Sequence, residues 1–344
     1  MKGFKKLILF LFLVMVSLSI YTIFFPATRF TSTEKEFTLT TPLGKEQILS
    51  QLEKQDIVRF PILLDILYSL YGDWDLVQPG KYSISKNASI WNIAHMLKNS
   101  RKGVTKLVIN KLRTKEDFAK LISHQFLLDS SEILQFISSN DSLHDWGIDT
   151  STFYTIVIPD TYECYKNSSL RVILSRLRSG AEKFWLQNNR LEKASKLGLK
   201  TNEVYTLASI VSEETNFASD QSLIASVYMN RLKKKMPLQA CPTVKFAMRD
   251  FSLTRIYEKY LQVASPYNTY RNIGLPPGPI CTPEAAVIDR VLDAPVTDYL
   301  FFVAKSDFSG FHHFSANYTE HQLYAAEYQK ALDIYQQKQK NKKL

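Results

Sequence analysis

The residue in this chain best placed to do chemistry is Glu214, near the end of the segment Glu203 to Thr215, EVYTLASIVSEET. Val204, Leu207, Ala208 and Val211 fall at i, i+3, i+4 and i+7, the spacing of one helix face, so the stretch is expected to be a buried helix. At about 100° per residue, Glu214 projects from the same apolar side as Val211 and Leu207, whereas Glu213 is rotated away from it. A carboxyl group on an inward face loses water, which disfavours its charged form and raises its pKa toward the range of a general acid. A plainer reading stands beside this one: a glutamate in the last turn of an amphipathic helix serves as a rim residue or an ion-pair partner.

The segments that follow favour the chemical reading. Leu223 to Leu232 (LIASVYMNRL) repeats the apolar spacing and ends on Asn230 and Arg231. Then come Leu238 to Val244 (LQACPTV), Ser265 to Tyr270 (SPYNTY) and Gly274 to Ile280 (GLPPGPI). Prolines and glycines fix such loops, and amide and phenol groups carried on stiff loops suit a sugar polymer. Sugars offer hydroxyls for Asn and Gln to bond and apolar ring faces for Tyr to cover.

These residues need a scaffold, and the sequence outlines one. Arg29 to Thr41 reads as a linker entering a strand, and Gly44 to Leu70 carries helical periodicity. Val77 to Gly80 is a turn, Lys81 to Ile84 an alternating strand, and Ile90, Ile93, Ala94 and Leu97 form an apolar helix face. Strand, turn and helix of this kind occur in LysM-like glycan-binding modules and equally in plain structural domains. Val104 to Asn110 predicts a strand, Lys115 to Leu128 and Ser131 to Ser138 predict helices, and Ile156 to Tyr162 predicts a short buried strand ended by Pro159. Asp160 and Tyr162 there either line a cleft or make a turn. From Leu170 to Leu197 the pattern is helical, with Gly198 as C-cap and Thr201 as N-cap of the Glu214 helix.

At 344 residues and 45% hydrophobic content the chain can bury two domains. Leu7 to Phe25 is a run of 19 residues without a charge, about 28 Å long as a helix and sufficient to span a bilayer. Lys2, Lys5 and Lys6 precede it, so the amino terminus is expected in the cytoplasm and the remainder outside. Pro26-Ala27-Thr28 offers no small-x-small cleavage site, which favours an anchor over the alternative, a cleaved signal peptide. The cysteines, Cys164, Cys241 and Cys281, are odd in number and far apart, so no disulfide framework is expected, although one bridge could form outside the cell. Six histidines without an HExxH or CxxC pattern argue against a metal site. The formal charge of +10 is partly terminal, carried by Lys338, Lys340, Lys342 and Lys343. That end reads as a solvated tail or as a contact for an anionic envelope surface. Nucleic acid is a poor candidate partner for a chain expected to be exported.

The segments LASIVSEET, VYMNRL, LQACPTV, SPYNTYRNIGLPPGPI and DYLFFVAKSDFSGFHHFS, with Thr319-Glu320-His321, VIPDTYE and the QPGKY turn, occur together in this one chain. They resemble the endolytic murein transglycosylases, the MltG or YceG-like family, in which these motifs follow the same order. The resemblance spans nearly the whole expected exported chain. It implies that Glu214 is the catalytic acid and that Asn230, Gln239, Thr243, Tyr267, Asn268, Tyr270 and His312 lie at the substrate cleft, a structural role beside the cleft being the alternative for each. It also implies an activity without cofactor or metal. The substrate would be peptidoglycan glycan strands, cut non-hydrolytically between N-acetylmuramic acid and N-acetylglucosamine to leave 1,6-anhydro ends. Partners would be the inner membrane and peptidoglycan synthases. Two departures stand out. Ser212 replaces the first acid of the usual helix motif, which favours Glu214 over its neighbour, and Cys241 replaces the usual aspartate before Pro-Thr-Val. A hydrolase would need a second carboxylate such as Asp160 or Glu213, and a catalytically inactive tethered glycan-binding protein is a further alternative. The expected architecture is α+β. It comprises a membrane anchor over 1–28, a LysM-like module over 29–105, a larger mixed catalytic domain over 106–335 and a basic tail over 336–344.

Overall fold

The computed structural model describes residues 23–39, 43–74, 77, 80–99, 104–126, 128–166, 168–253 and 255–341. The apolar run expected to anchor the chain lies almost wholly outside them, as do Gln78 and Pro79 of the expected turn. Among the described residues no helix is long and apolar enough to cross a membrane. The chain is mixed α+β and divides into two compact units. One comprises Met1–Leu107, Ile122–Asp129 and Tyr162–Arg176, and the other Val108–Leu121, Ser130–Thr161 and Leu177–Leu344.

In the first unit, β1 (Glu34–Leu39) is followed by α1 (Lys45–Lys54), α2 (Pro61–Tyr71), β2 (Gly80–Ser85) and α3 (Ile90–Asn99). The helical stretch after Gly44 ends at Lys54, before the left-handed Asp56, and a second helix starts at Pro61, whose missing N–H is tolerated in a first turn. Strands β1 and β2 pair antiparallel, with Phe37 opposite Tyr82 and Leu39 opposite Gly80. The alternation of Lys81 to Ile84 is realised: Tyr82 and Ile84 are buried while Lys81 and Ser83 face out. Ile90, Ile93, Ala94 and Leu97 of α3 are buried with them in one apolar cluster.

Further along the chain come β3 (Val104–Val108), α4 (Lys115–Gln125), α5 (Ser130–Ile137) and α6 (Asn140–His144). The buried run Ile156 to Ile158 is not a strand. Phe153–Ile156 forms a 3-10 turn, and β4 (Thr161–Tyr165), the partner of β3, begins only after Pro159. An apolar run of this length cannot distinguish a strand from a segment covering a helix, and here the carbonyl of Val157 accepts a hydrogen bond from Tyr205 Oη at 2.5 Å.

The rest of the second unit is built around one helix. After α7 (Leu170–Leu186) and α8 (Arg190–Leu197), the helix α9 (Thr201–Glu214) is enclosed by α8, α10 (Ala218–Lys233), α11 (Cys241–Met248) and α12 (Ala285–Leu292). The expected single helix from Leu170 to Leu197 is divided by Asn188 and Asn189, both left-handed. Gly198 is left-handed as expected of a C-cap, whereas the N-cap of α9 is Lys200, one residue before Thr201; the Lys200 amide donates to Glu203 Oε2 at 2.7 Å. Burial extends over every residue from Val204 to Ser212, so α9 is central and not amphipathic. Its polar positions are paired: Ser209 Oγ donates to the Thr206 carbonyl and accepts from the Ile280 amide at 3.0 Å, which fastens the proline loop to the helix. The hairpin of β5 (Phe301–Ala304) and β6 (His312–Ser315) and the long α13 (Tyr318–Asn341) complete the unit. Residues 336–341, expected as a tail, continue that helix.

Candidate active site

Glu214 is the last residue of α9 and is only partly exposed. Burial pushes its carboxyl up to about 7, against the opposing pulls of Tyr228 and Lys245 and with a smaller push from Glu213. Tyr228 of α10, 1% exposed, donates its hydroxyl hydrogen to Glu214 Oε1 at 2.5 Å. Burial and the nearby carboxyl push the Tyr228 phenol upward, so it stays a donor. One carboxyl oxygen is thereby fixed, and among the described residues no hydrogen bond engages the other.

The adjacent acid has a different fate. Glu213 accepts from Arg113 Nε at 3.2 and 3.1 Å and lies 3.3 Å from Lys111 Nζ. Lys111 also donates to the Ser212 carbonyl at 2.8 Å, tying the end of α9 down. The helical rotation foreseen between the two glutamates thus separates an ion-paired carboxylate from an acid that tends to stay protonated. Asp160 is exposed, its Oδ1 accepts the Thr161 amide at 2.6 Å, and it makes a turn.

Beside Glu214, Cys241 at the start of α11 shares a hydrogen bond with Tyr270 Oη at 3.2 Å. Burial pushes both the thiol and the phenol upward, so the pair adds no charge at neutral pH. The other residues expected at the cleft fall into distinct places. Thr243 and Asn268 have no exposure. Thr243 Oγ1 donates to the Ala240 carbonyl at 2.7 Å, and the Asn268 amide holds the Leu261 and Val263 carbonyls, both at 2.9 Å. Both side chains are buried, and their polar atoms brace the start of α11 and the Ser265–Tyr270 loop. The Asn230 amide likewise engages the carbonyls of Thr297 and Tyr299, both at 2.9 Å, and positions β5. Gln239 is exposed and left-handed (φ 53°), and its Oε1 accepts from the buried Arg231. Tyr267 packs on Phe246 at 4.7 Å and lines a separate cavity.

His312 is joined to Glu214 through aromatic edges: Tyr228 meets Phe302 edge-on at 5.8 Å, and Phe302 meets His312 edge-on at 5.5 Å. The buried Asp220 accepts from His312 Nδ1 at 2.9 Å and from its backbone amide at 2.7 Å, which fixes the ring with Nε2 as the remaining polar atom. No local sequence pattern marks Lys245 or Asp220 as neighbours of the site. Tyr228 gave a signal, a hydroxyl inside the buried stripe of Ile224, Ala225 and Val227. Among the described residues no group of three His, Cys, Asp or Glu side chains is placed to hold a metal ion.

Residues 39–327 match the model of the YceG-like family. The chain belongs to the YceG-like family. An endolytic murein transglycosylase of Bacillus subtilis (strain 168) is 44% identical over 126 residues, 35% of each chain. An endolytic murein transglycosylase of Streptococcus pneumoniae serotype 2 (strain D39 / NCTC 7466) is 25% identical over 308 residues, 79% of this chain and 55% of that one. This YceG-like chain thus spans about half the length, or less, of the curated relatives it matches. The fold resembles the crystal structure of a yceG-like protein from Listeria monocytogenes, with a TM-score of 0.54 and 23% identity, covering 85% of this chain and 99% of that one.

Proposed function

We propose that this YceG-like chain is an endolytic murein transglycosylase, and that Glu214 alone serves as its acid and base. The observation that carries this reading is the contrast between the two glutamates. Glu214 is raised to about 7 by burial and has one oxygen held by Tyr228, while Glu213 is clamped by Arg113 and Lys111. Glycoside hydrolysis ordinarily employs two free carboxyl groups flanking the bond. With one, the same carboxyl group can act first as acid and then as base toward a nucleophile that the substrate itself carries.

Protonated Glu214 gives its proton to the oxygen of the β-1,4 bond between N-acetylmuramic acid and N-acetylglucosamine, and that C–O bond breaks. The resulting carboxylate takes the proton of the muramic acid 6-hydroxyl as its oxygen bonds to the anomeric carbon, closing a 1,6-anhydro ring. No water enters the products and the acid is regenerated. A hydroxyl already on the reacting ring has high effective molarity, so an intramolecular attack competes well with solvent. The Tyr228 hydroxyl supports the transient carboxylate, and the fixed imidazole of His312 offers Nε2 to the glycan. Mass spectrometry of fragments released from purified sacculi tests this: every new end is expected to be a 1,6-anhydro sugar, and reducing ends would instead indicate a hydrolase.

The reading extends to the cell envelope. Leu7 to Phe25 would anchor the chain in the inner membrane with its amino terminus in the cytoplasm, leaving the catalytic unit outside, next to the strands and the synthases that make them. The antiparallel pair β1–β2 with its packed helices supports the LysM-like reading of residues 29–105 and a role there in holding glycan. In cell fractionation the full chain is expected to stay with membranes through an alkaline wash, and release by that wash would refute the anchor.

A further inference from the structure

The second unit holds a cavity of about 410 Å³ that the proposed reaction does not use. Its lining includes Arg113, Lys115, Arg249, Phe246, Phe251 and Tyr267, and Glu214 is not part of it. Three ties join its walls to the catalytic cluster. Arg113 clamps Glu213. Phe246 follows Lys245, whose charge acts on Glu214. Tyr267 shares a short loop with Tyr270, the partner of Cys241.

The carboxylates around this cavity are already engaged. Glu116 pairs with Arg249 at 2.7 Å, and Glu213 with Arg113. Asp117 accepts the Thr114 amide at 2.9 Å, and Asp149 accepts the Ser151 and Thr152 amides at 2.7 and 2.8 Å. Lys115 differs. It is half-buried, and the attraction of Glu116 and Asp149 does not offset its loss of water, which draws its pKa down. Among the described residues none forms an ion pair or hydrogen bond with its ammonium, so an anion entering the cavity would meet a cation partly stripped of water and open to a new partner. Around it, Phe246, Phe251 and Tyr267 offer apolar faces to the rest of such a ligand, with Arg113 stacked 5.6 Å over the Phe251 ring.

We propose that this cavity is a subsite for the peptide substituent of the glycan, in which Lys115 reads a peptide carboxylate. The inference rests on the glycan-cleaving reading above, and it assigns the enzyme a preference that sugar contacts cannot give, since the sugars of a peptide-bearing strand carry no charge. It is tested on soluble peptide-bearing strands and on the same strands with their peptide carboxyl groups amidated. Wild type is expected to show about tenfold higher kcat/KM on the carboxylate form, the size of one charge-assisted hydrogen bond. The difference should lie mainly in KM. In Lys115→Met the ratio between the substrates is expected to collapse to one, and in Lys115→Arg to survive. A ratio that persists in Lys115→Met, or one already equal to one in wild type, overturns the subsite. Absence of anhydro ends from both substrates would instead overturn the proposed reaction.

Discussion

Glu214→Gln is expected to abolish release of anhydro fragments, a loss of at least about a thousandfold, because removing the acid from proton transfer to a poor leaving group leaves only positioning. The amide oxygen introduced by that substitution can still accept from Tyr228, so glycan binding should survive. The wild-type rate should fall about tenfold per unit as pH rises beyond about 7, the value to which burial pushes Glu214, since the carboxylate form cannot donate. Tyr228→Phe removes a bond that favours the charged form, so it should move this falling limb to higher pH while lowering the maximum. The same titration has a stability signature. A folded-state pKa above the ordinary 4.5 means that folding binds the proton more tightly. The stabilisation is complete below about 4.5 and is lost as pH rises to about 7, by at most about 3 kcal/mol. The Glu214→Gln side chain does not titrate, so the melting temperature of that variant should exceed that of wild type at pH 8 and match it near pH 4. Full activity in Glu214→Gln, or an identical melting difference at both pH values, would contradict the assignment.

The largest structural effect is expected at Gly278 in the proline loop. A Cβ added there would lie 2.0 Å from the Ser151 carbonyl oxygen, and backbone atoms cannot swing aside as a flexible side chain does. Gly278→Ala must displace either the loop or the 151–152 backbone, a cost of about 2 kcal/mol or more. Because the Ile280 amide bonds Ser209 inside α9, the displacement reaches the helix that carries Glu214, and activity should fall together with stability. Gly44 is the matched control, since a Cβ there meets nothing within 4 Å among the described residues. Thermal melting and anhydro-end release measured on both variants decide the point. A Gly278→Ala protein as stable and active as Gly44→Ala would show that the close approach does not matter.

The sequence was most informative where a single period governed the outcome. The buried faces of β2 and α3 followed from alternation and from i, i+3, i+4 spacing, and the opposite settings of Glu213 and Glu214 followed from one step of helical rotation. It was least informative where an apolar run carries no period: Ile156 to Ile158 imitated a strand, whereas the buried helix expected from the i, i+3, i+4 spacing is α9, whose Thr206, Ser209 and Ser212 are buried as well.

Motif position likewise could not separate contact from support. Thr243 lies in the first turn of α11 and Asn268 in the loop before Tyr270, and both spend their side-chain polar atoms on buried backbone. Tyr228 and Asp220, which touch Glu214 and His312, come from a different helix, so their pairing depends on chain crossings that no local spacing encodes. The sequence by itself determined that two adjacent glutamates would point to different sides of one helix, because side-chain direction on a helix is local. Only the tertiary structure decided what surrounds that acid, since desolvation and hydrogen bonding are sums over elements far apart in the chain.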